Sequence, residues 1–151
     1  MKLTCISGLP GTGKTHLAKQ IEAQTGAIRL SRDEIRAQLS PSPTYSEAEK
    51  VETFEFMLLV AGYELAQGND VILEGMPFSR RAERDAARDL ASKAGAELEL
   101  VYCVCSEDIA LERIASEEHM AADRNEALYF EVKSRFESFR HDEEFTEIYT
   151  G

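Results

Sequence analysis

The chain has 151 residues, 43% of them hydrophobic and 30% charged, with a net charge of −11. That length predicts one domain with a real core, and the acidic balance opposes non-specific attraction to nucleic acid, which depends on basic side chains. The charge is uneven, net −8 over residues 106–151 and only −3 before them, so a local basic groove for a phosphorylated substrate stays open while a broad DNA-binding face does not.

No apolar run reaches the length of a membrane span, and Met1-Lys2-Leu3 leads straight into a strand candidate. A cytoplasmic protein without membrane association is predicted. Cys5, Cys103 and Cys105 sit in apolar strand candidates without zinc or redox spacing and read as buried thiols.

In chain order, the strand Leu3-Thr4-Cys5-Ile6-Ser7 runs into Gly8-Leu9-Pro10-Gly11-Thr12-Gly13-Lys14-Thr15, a complete G-x-x-x-x-G-K-T phosphate loop. Its glycines let successive N–H groups point at phosphate oxygens, and the following helix adds its N-terminal partial charge. Gly8, Leu9, Pro10, Gly11, Thr12, Gly13, Lys14, Thr15 and His16 are therefore the candidate residues for binding ATP or another nucleoside triphosphate. Lys14 is also a catalytic candidate, reaching the β- and γ-phosphates, and the Thr15 hydroxyl is a ligand candidate for Mg²⁺.

A helix over about residues 14–24 buries Leu17, Ala18 and Ile21 and stops at Gly26, and Ala27-Ile28-Arg29-Leu30 gives a second strand. Ser31-Arg32-Asp33-Glu34 reads as a capping box opening a short helix through Leu39, ended by Ser40-Pro41-Ser42-Pro43. A second box, Ser46-Glu47-Ala48-Glu49, starts a long helix with a core stripe of Val51, Phe54, Met57, Leu58, Ala61 and Leu65. Val71-Ile72-Leu73 is a buried strand. Ser79 is the predicted cap of a charged helix running to about Ala94 and closed by Gly95, followed by a strand over 98–105. Ser106-Glu107-Asp108 begins a helix carrying Ile109, Leu111 and Ile114, and Leu128, Phe130, Val132, Phe136 and Phe139 mark a final one. Alternating strands and helices predict a three-layer α/β P-loop NTPase fold, with a parallel sheet of about four strands in the order 2-3-1-4 and helices on both faces.

Phosphoryl transfer also needs a metal-organising carboxylate, a base for the acceptor hydroxyl and cations around the moving group. Glu74 follows Val71-Ile72-Leu73 at the carboxyl end of a buried strand and is the candidate metal partner. Asp33, just past the second strand, is the candidate base, although an acid in a first helical turn is also favoured by the helix dipole alone. Arg36, one turn along, is placed to hold a substrate phosphate. Arg80, Arg84 and Arg88 recur every four residues, but interleaved Glu83, Asp85 and Asp89 predict a solvated, salt-bridged surface, with Arg80 closest to the active edge as a substrate-binding candidate. The polar stretch 116–126 reads as a lid or as an ordinary helix connection, with Arg113 and Arg124 flanking it as catalytic cations. His16, His119 and His141 show no triad partner, and His16 enters only as part of the loop.

Together these motifs resemble the P-loop kinases of the bacteriophage polynucleotide 5′-kinase and zeta-toxin type, over Met1 to about Phe139. The marks are the phosphate loop, then Ser31-Arg32-Asp33-Glu34-Ile35-Arg36, then Val71-Ile72-Leu73-Glu74 followed by Arg80-Arg81. The resemblance implies Asp33 as general base, Arg36 as a phosphate contact and the 5′-hydroxyl of an oligo- or polynucleotide, DNA or RNA, as acceptor. The family usually carries Asp where this chain has Glu74, and a lid arginine where it has Glu117. Glu74-Gly75-Met76-Pro77 also resembles a segment of nucleoside monophosphate kinases, which keeps a nucleoside, sugar nucleotide or antibiotic open as acceptor. A non-kinase NTPase switch is the third reading, although the chain lacks Asn-Lys-x-Asp and Leu-Ser-Gly-Gly motifs and is too short for an AAA+ helical lid domain.

Overall fold

The computed structural model describes residues 1–116 and 124–151. Five strands, β1 (Lys2–Ser7), β2 (Ile28–Ser31), β3 (Val71–Glu74), β4 (Glu97–Val104) and β5 (Thr146–Tyr149), form one sheet in the order β2-β3-β1-β4-β5. Every pairing is parallel, and central β1 sets Leu3 against Val71 on one side and Leu98 on the other. Among the described residues six helices connect them, α1 (Lys14–Thr25), α2 (Arg32–Leu39), α3 (Glu47–Ala66), α4 (Arg81–Ala94), α5 (Glu107–Ser116) and α6 (Glu126–Arg135).

Side chains alternate across a strand, so each strand feeds both faces. Leu3, Cys5, Val71, Leu73 and Leu100 face α2, α3 and α4, meeting Ile35, Met57, Ala61, Leu65, Ala87 and Ala91. On the other face Ile6, Ile72, Val101 and Cys103 meet Ala18 of α1. A parallel sheet covered on both sides needs such near-continuous apolar strands. All strands point their carboxyl ends to one edge, where the loops carrying Gly8, Ser31 and Gly75 gather.

Several expectations need correction. The sheet has a fifth strand beyond the expected four, an edge strand whose residues are exposed except half-buried Ile148, so it has no apolar run to announce it. Ser31 and Ser46 accept the expected bonds from Glu34 and Glu49 N–H, at 3.3 and 3.2 Å. The glutamates do not close the boxes, because Glu34 pairs with Arg29 and Glu49 accepts from the N–H groups of Thr44 and Tyr45. Arg80, not Ser79, caps α4, its N–H donating to Glu83 at 3.1 Å. Val51 and Phe130, expected in the core, are 49% and 41% exposed, and Cys105 is only half-buried. Helix α6 ends at Arg135; Phe136 and Phe139 instead join Phe145 around Tyr102 of β4, with Phe139 stacked on Phe145 at 4.4 Å.

The largest departure is Arg84. Arg81 and Arg88 lie on the expected salt-bridged surface with Asp85, yet Arg84 is fully buried. Its guanidinium donates to both oxygens of Glu143 at 2.9 and 3.1 Å and to the Phe78 carbonyl at 3.0 Å, and lies 4.4 Å over the Phe139 ring. The pair anchors the segment after α6 to α4. Removing one partner leaves the other charge buried and uncompensated, so Glu143→Ala is expected to cost about 3–5 kcal/mol in urea unfolding. Lys93→Ala, which breaks an exposed pair with Asp89, should stay within about 0.5 kcal/mol.

Candidate active site

The phosphate loop curls between β1 and α1, with Gly13 in the left-handed region at the helix N-cap. Gly11, at φ 79°, runs so close to α5 that a Cβ would stand 2.5 Å from the Ala110 carbonyl oxygen. The loop therefore admits no side chain there. The first turn of α1 borders a cleft of about 450 Å³ lined by Gly11, Gly13, Lys14, Thr15, His16 and Gln20, and walled by Ile148, Tyr149 and Thr150. Cleft, loop and helix terminus fit a triphosphate. Gly8, Leu9, Pro10 and Thr12 shape the loop from outside the cleft: Thr12 Oγ1 donates to the Leu9 carbonyl at 2.7 Å, and Gly8 N–H to the Pro77 carbonyl at 3.1 Å.

Lys14 is buried, and its Nζ donates to the Leu9 carbonyl at 2.9 Å rather than reaching into open solvent. Burial, reinforced by the Arg124 guanidinium, pulls its pKa down to about 7. Arg113 lines the same cleft but spends its donors on backbone, the Thr150 carbonyl at 2.7 Å and the Gly11 carbonyl at 3.3 Å. It braces the loop against the residue after β5. Thr150 Oγ1 adds a 2.6 Å bond to the Thr12 carbonyl.

Across the edge, Asp33 is buried in the first turn of α2. Arg36 NH1 donates to its Oδ1 at 2.9 Å and Arg124 NH2 to its Oδ2 at 3.0 Å. The base candidate and two cation candidates thus form one cluster, in a narrow pocket of about 30 Å³. Arg36 also lies 3.3 Å from Glu49 and 4.8 Å over the Tyr45 ring. Arg80 is farther out, its NH1 3.5 Å from Glu47. Sequence reading passed over Arg32, Lys50 and Arg135, which line the Asp33 pocket, and Arg29, whose NH1 is 3.7 Å from Glu74. Nothing in local spacing marks them, because they converge from α2, α3, α6 and β2.

Glu74 is fully buried at the end of β3, and its Oε2 has no hydrogen-bond partner. That orphaned oxygen and the Thr15 hydroxyl fit a hydrated Mg²⁺ held mainly by nucleotide phosphates. Among the described residues no group of three or more His, Cys, Asp or Glu side chains converges to hold a metal unaided. Of the lid expected over 113–126, Arg113 and Arg124 are placed, whereas Glu117 and His119 lie outside the described residues.

A triphosphate beside Lys14 favours its charged form and raises its pKa again. At pH 8 the free lysine is mostly neutral, so binding must take up a proton; at pH 6 it is already charged and uptake vanishes. Titration calorimetry of Mg·ATP in buffers of different ionisation enthalpy should show uptake approaching about one proton at pH 8. Proton-neutral binding at both pH values would contradict this assignment.

Comparison with known proteins agrees with this geometry. A structure of a candidate kinase from Chloroflexus aurantiacus superposes with a TM-score of 0.76 at 21% identity, covering 99% of this chain and 88% of that one. A gluconokinase from Sinorhizobium meliloti gives 0.69 at 18%, covering 99% and 82%. The Mycobacterium tuberculosis APS kinase, in complex with AMPPNP and APS, gives 0.69 at 20%, covering 98% and 87%. At these identities the likeness establishes the fold. Uncharacterized proteins of Mycobacterium tuberculosis and Mycobacterium bovis are 29% identical over 128 residues, 77% of this chain. The chain spans about a quarter (26%) of their length. No helix among the described residues is long and apolar enough to cross a membrane. Residues 3–139 match the model of the AAA domain family AAA_33, and the chain belongs to that family, with a P-loop kinase-like fold.

Proposed function

We propose that the chain is an ATP-dependent phosphotransferase acting on a hydroxyl of a small molecule. One observation carries this reading: Lys14, Gly75 and Arg124 line both the cleft at the phosphate loop and the pocket holding Asp33, so donor and acceptor spaces meet at those three residues. An NTPase switch has no need of a buried carboxylate facing a second pocket across that junction.

In this mechanism the acceptor O–H proton passes to Asp33 as the oxygen attacks the γ-phosphorus. The new O–P bond forms as the β–γ bridging bond breaks, and its electron pair leaves with ADP. Lys14 and the loop N–H groups offset charge on the β- and γ-oxygens, while Arg124, spanning both spaces, supplies the cation beside the transferred group. Arg113, the other candidate, holds the loop in shape. Thr15 and Glu74 would hold Mg²⁺, which would supply charge neutralisation at the phosphates. All these roles fall within one domain of 1–151.

The polynucleotide acceptor expected from the resemblance gains no support from the comparisons. Three of the superposable proteins are described as a sugar kinase, a gluconokinase and an APS kinase, and the pocket at Asp33 is narrow. The small-molecule alternative is the better reading. A labelled-ATP transfer screen over sugars, nucleosides, sugar nucleotides and 5′-hydroxyl oligonucleotides tests it. Asp33→Asn should lower kcat for the accepted compound by roughly 10²–10⁴-fold with little change in ATP affinity. Unaltered ATP turnover in that variant with every acceptor would sink the kinase mechanism in favour of a switch.

A further inference from the structure

With Asp33 as the base proposed above, the shape of its surroundings constrains the acceptor. About 30 Å³ beside Asp33 admits a hydroxyl and little more. The rest of the acceptor must lie in the adjoining groove of about 220 Å³, which shares Arg32, Lys50, Pro77 and Arg135 with that pocket. Phe54, Val51, Pro77 and Ala82 give this groove an apolar wall. That accounts for Val51, half-exposed on the stripe expected to be core.

At the groove rim two guanidiniums from distant parts of the chain converge on one carboxylate. Arg80 NH1 is 3.5 Å from Glu47 Oε2, and Arg135 NH1, which donates to Glu131 at 3.0 Å, is 3.9 Å from Glu47 Oε1 while its Nε has no hydrogen-bond partner. Both separations are long for charge-assisted bonds, and Glu47 is itself 60% exposed. Two forks approaching from different directions suit a tetrahedral oxyanion with three terminal oxygens better than a planar carboxylate with two. Deeper in, Arg36 is 2% exposed and borders the Asp33 pocket with an NH2 that has no hydrogen-bond partner. Setting aside Lys14 and Arg124, which serve the donor phosphates, pocket and groove together are lined by five Lys and Arg and only three acids, a concentration of positive charge that a neutral acceptor would not require.

We infer that Glu47 stands in for part of the substrate: the acceptor is a small molecule that already carries a phosphate ester, bound between Arg80 and Arg135 in place of Glu47, with its hydroxyl at Asp33 and an apolar or planar portion along Phe54 and Pro77. The site is then a kinase for a phosphorylated metabolite, and Arg80 and Arg135 are its specificity determinants.

The full chain, labelled ATP and matched acceptor pairs test this: ribose against ribose 5-phosphate, glycerol against glycerol 3-phosphate, adenosine against adenosine 5′-phosphate. The phosphorylated member should lead in kcat/KM by about 30-fold or more in at least one pair. Arg80→Gln should shrink that preference about tenfold, and Glu47→Gln, by freeing Arg80 and removing the carboxylate that competes for the site, should lower KM for the phosphorylated member. In parallel, inorganic phosphate titrated into the chain saturated with a non-hydrolysable ATP analogue should bind, and Arg80→Gln should weaken it about tenfold. A preference near one, or phosphate binding indifferent to Arg80→Gln, overturns the inference and leaves the kinase reading standing. Failure of the kinase reading shows separately, as unaltered ATP turnover in Asp33→Asn.

Discussion

Arg36 reaches Asp33 from within α2, and Arg124 reaches the same carboxylate from 91 residues away. Each oxygen of Asp33 is thereby given one guanidinium, and the candidate site forms around that contact. Arg124 also borders the cleft at the phosphate loop, so a single carboxylate ties the cation beside that loop to helix α2 and the pocket at Asp33. A carboxylate oxygen has a second lone pair to offer, which leaves each one able to take an acceptor proton while still held. Without Asp33, Arg36 and Arg124 would face each other as like charges with no anion between them.

The backbone allows this only because the loops after β1, β2 and β3 are laced at one sheet edge. The Pro77 carbonyl accepts from both Gly8 N–H and the Ser7 hydroxyl, at 3.1 and 2.8 Å, fixing the loop after β3 against the phosphate loop. Gly75, at φ 86°, passes so near the start of α2 that a Cβ would stand 2.8 Å from Arg32 N. That close approach brings the phosphate-loop cleft and the Asp33 pocket into contact, since Gly75 forms part of the wall of both. Phe78, buried with a positive φ of 50°, marks where the same loop turns down into the core. Arg84 holds it there through the Phe78 carbonyl.

What could be read in advance was what chain neighbours decide. The phosphate loop, the Ser31 and Ser46 caps, the order of the first four strands and the Asp33–Arg36 pair all rest on spacings of a few residues. What could not be read was decided by convergence. Arg84 looks like any member of a charged helix until Glu143, 59 residues on, folds over it and the pair is sealed beneath Phe139. β5 is too polar and too short to show as a strand, yet Thr150 after it carries the bonds that brace the loop. Arg32, Lys50 and Arg135 were passed over for the same reason, being unremarkable on three separate helices and conspicuous only where these meet.

That convergence reconciles an acidic chain with the anionic acceptor proposed for it. A net charge of −11 would repel a phosphorylated ligand if it were spread evenly, but fields near a surface follow local charge, and walls of low dielectric focus them into clefts. Seven of the 17 Lys and Arg line the pocket and groove at the carboxyl edge of the sheet. Much of the excess acid lies in the last third of the sequence, where Asp142 and Glu143 are spent on Arg81 and Arg84, away from the cleft. A long polyanion gains little from this arrangement, because most of its charge would lie beyond a groove of about 220 Å³ on a chain of net charge −11. A compact anion stays inside the positive region. The charge distribution that argues against nucleic acid is therefore the same one that favours a small phosphorylated acceptor.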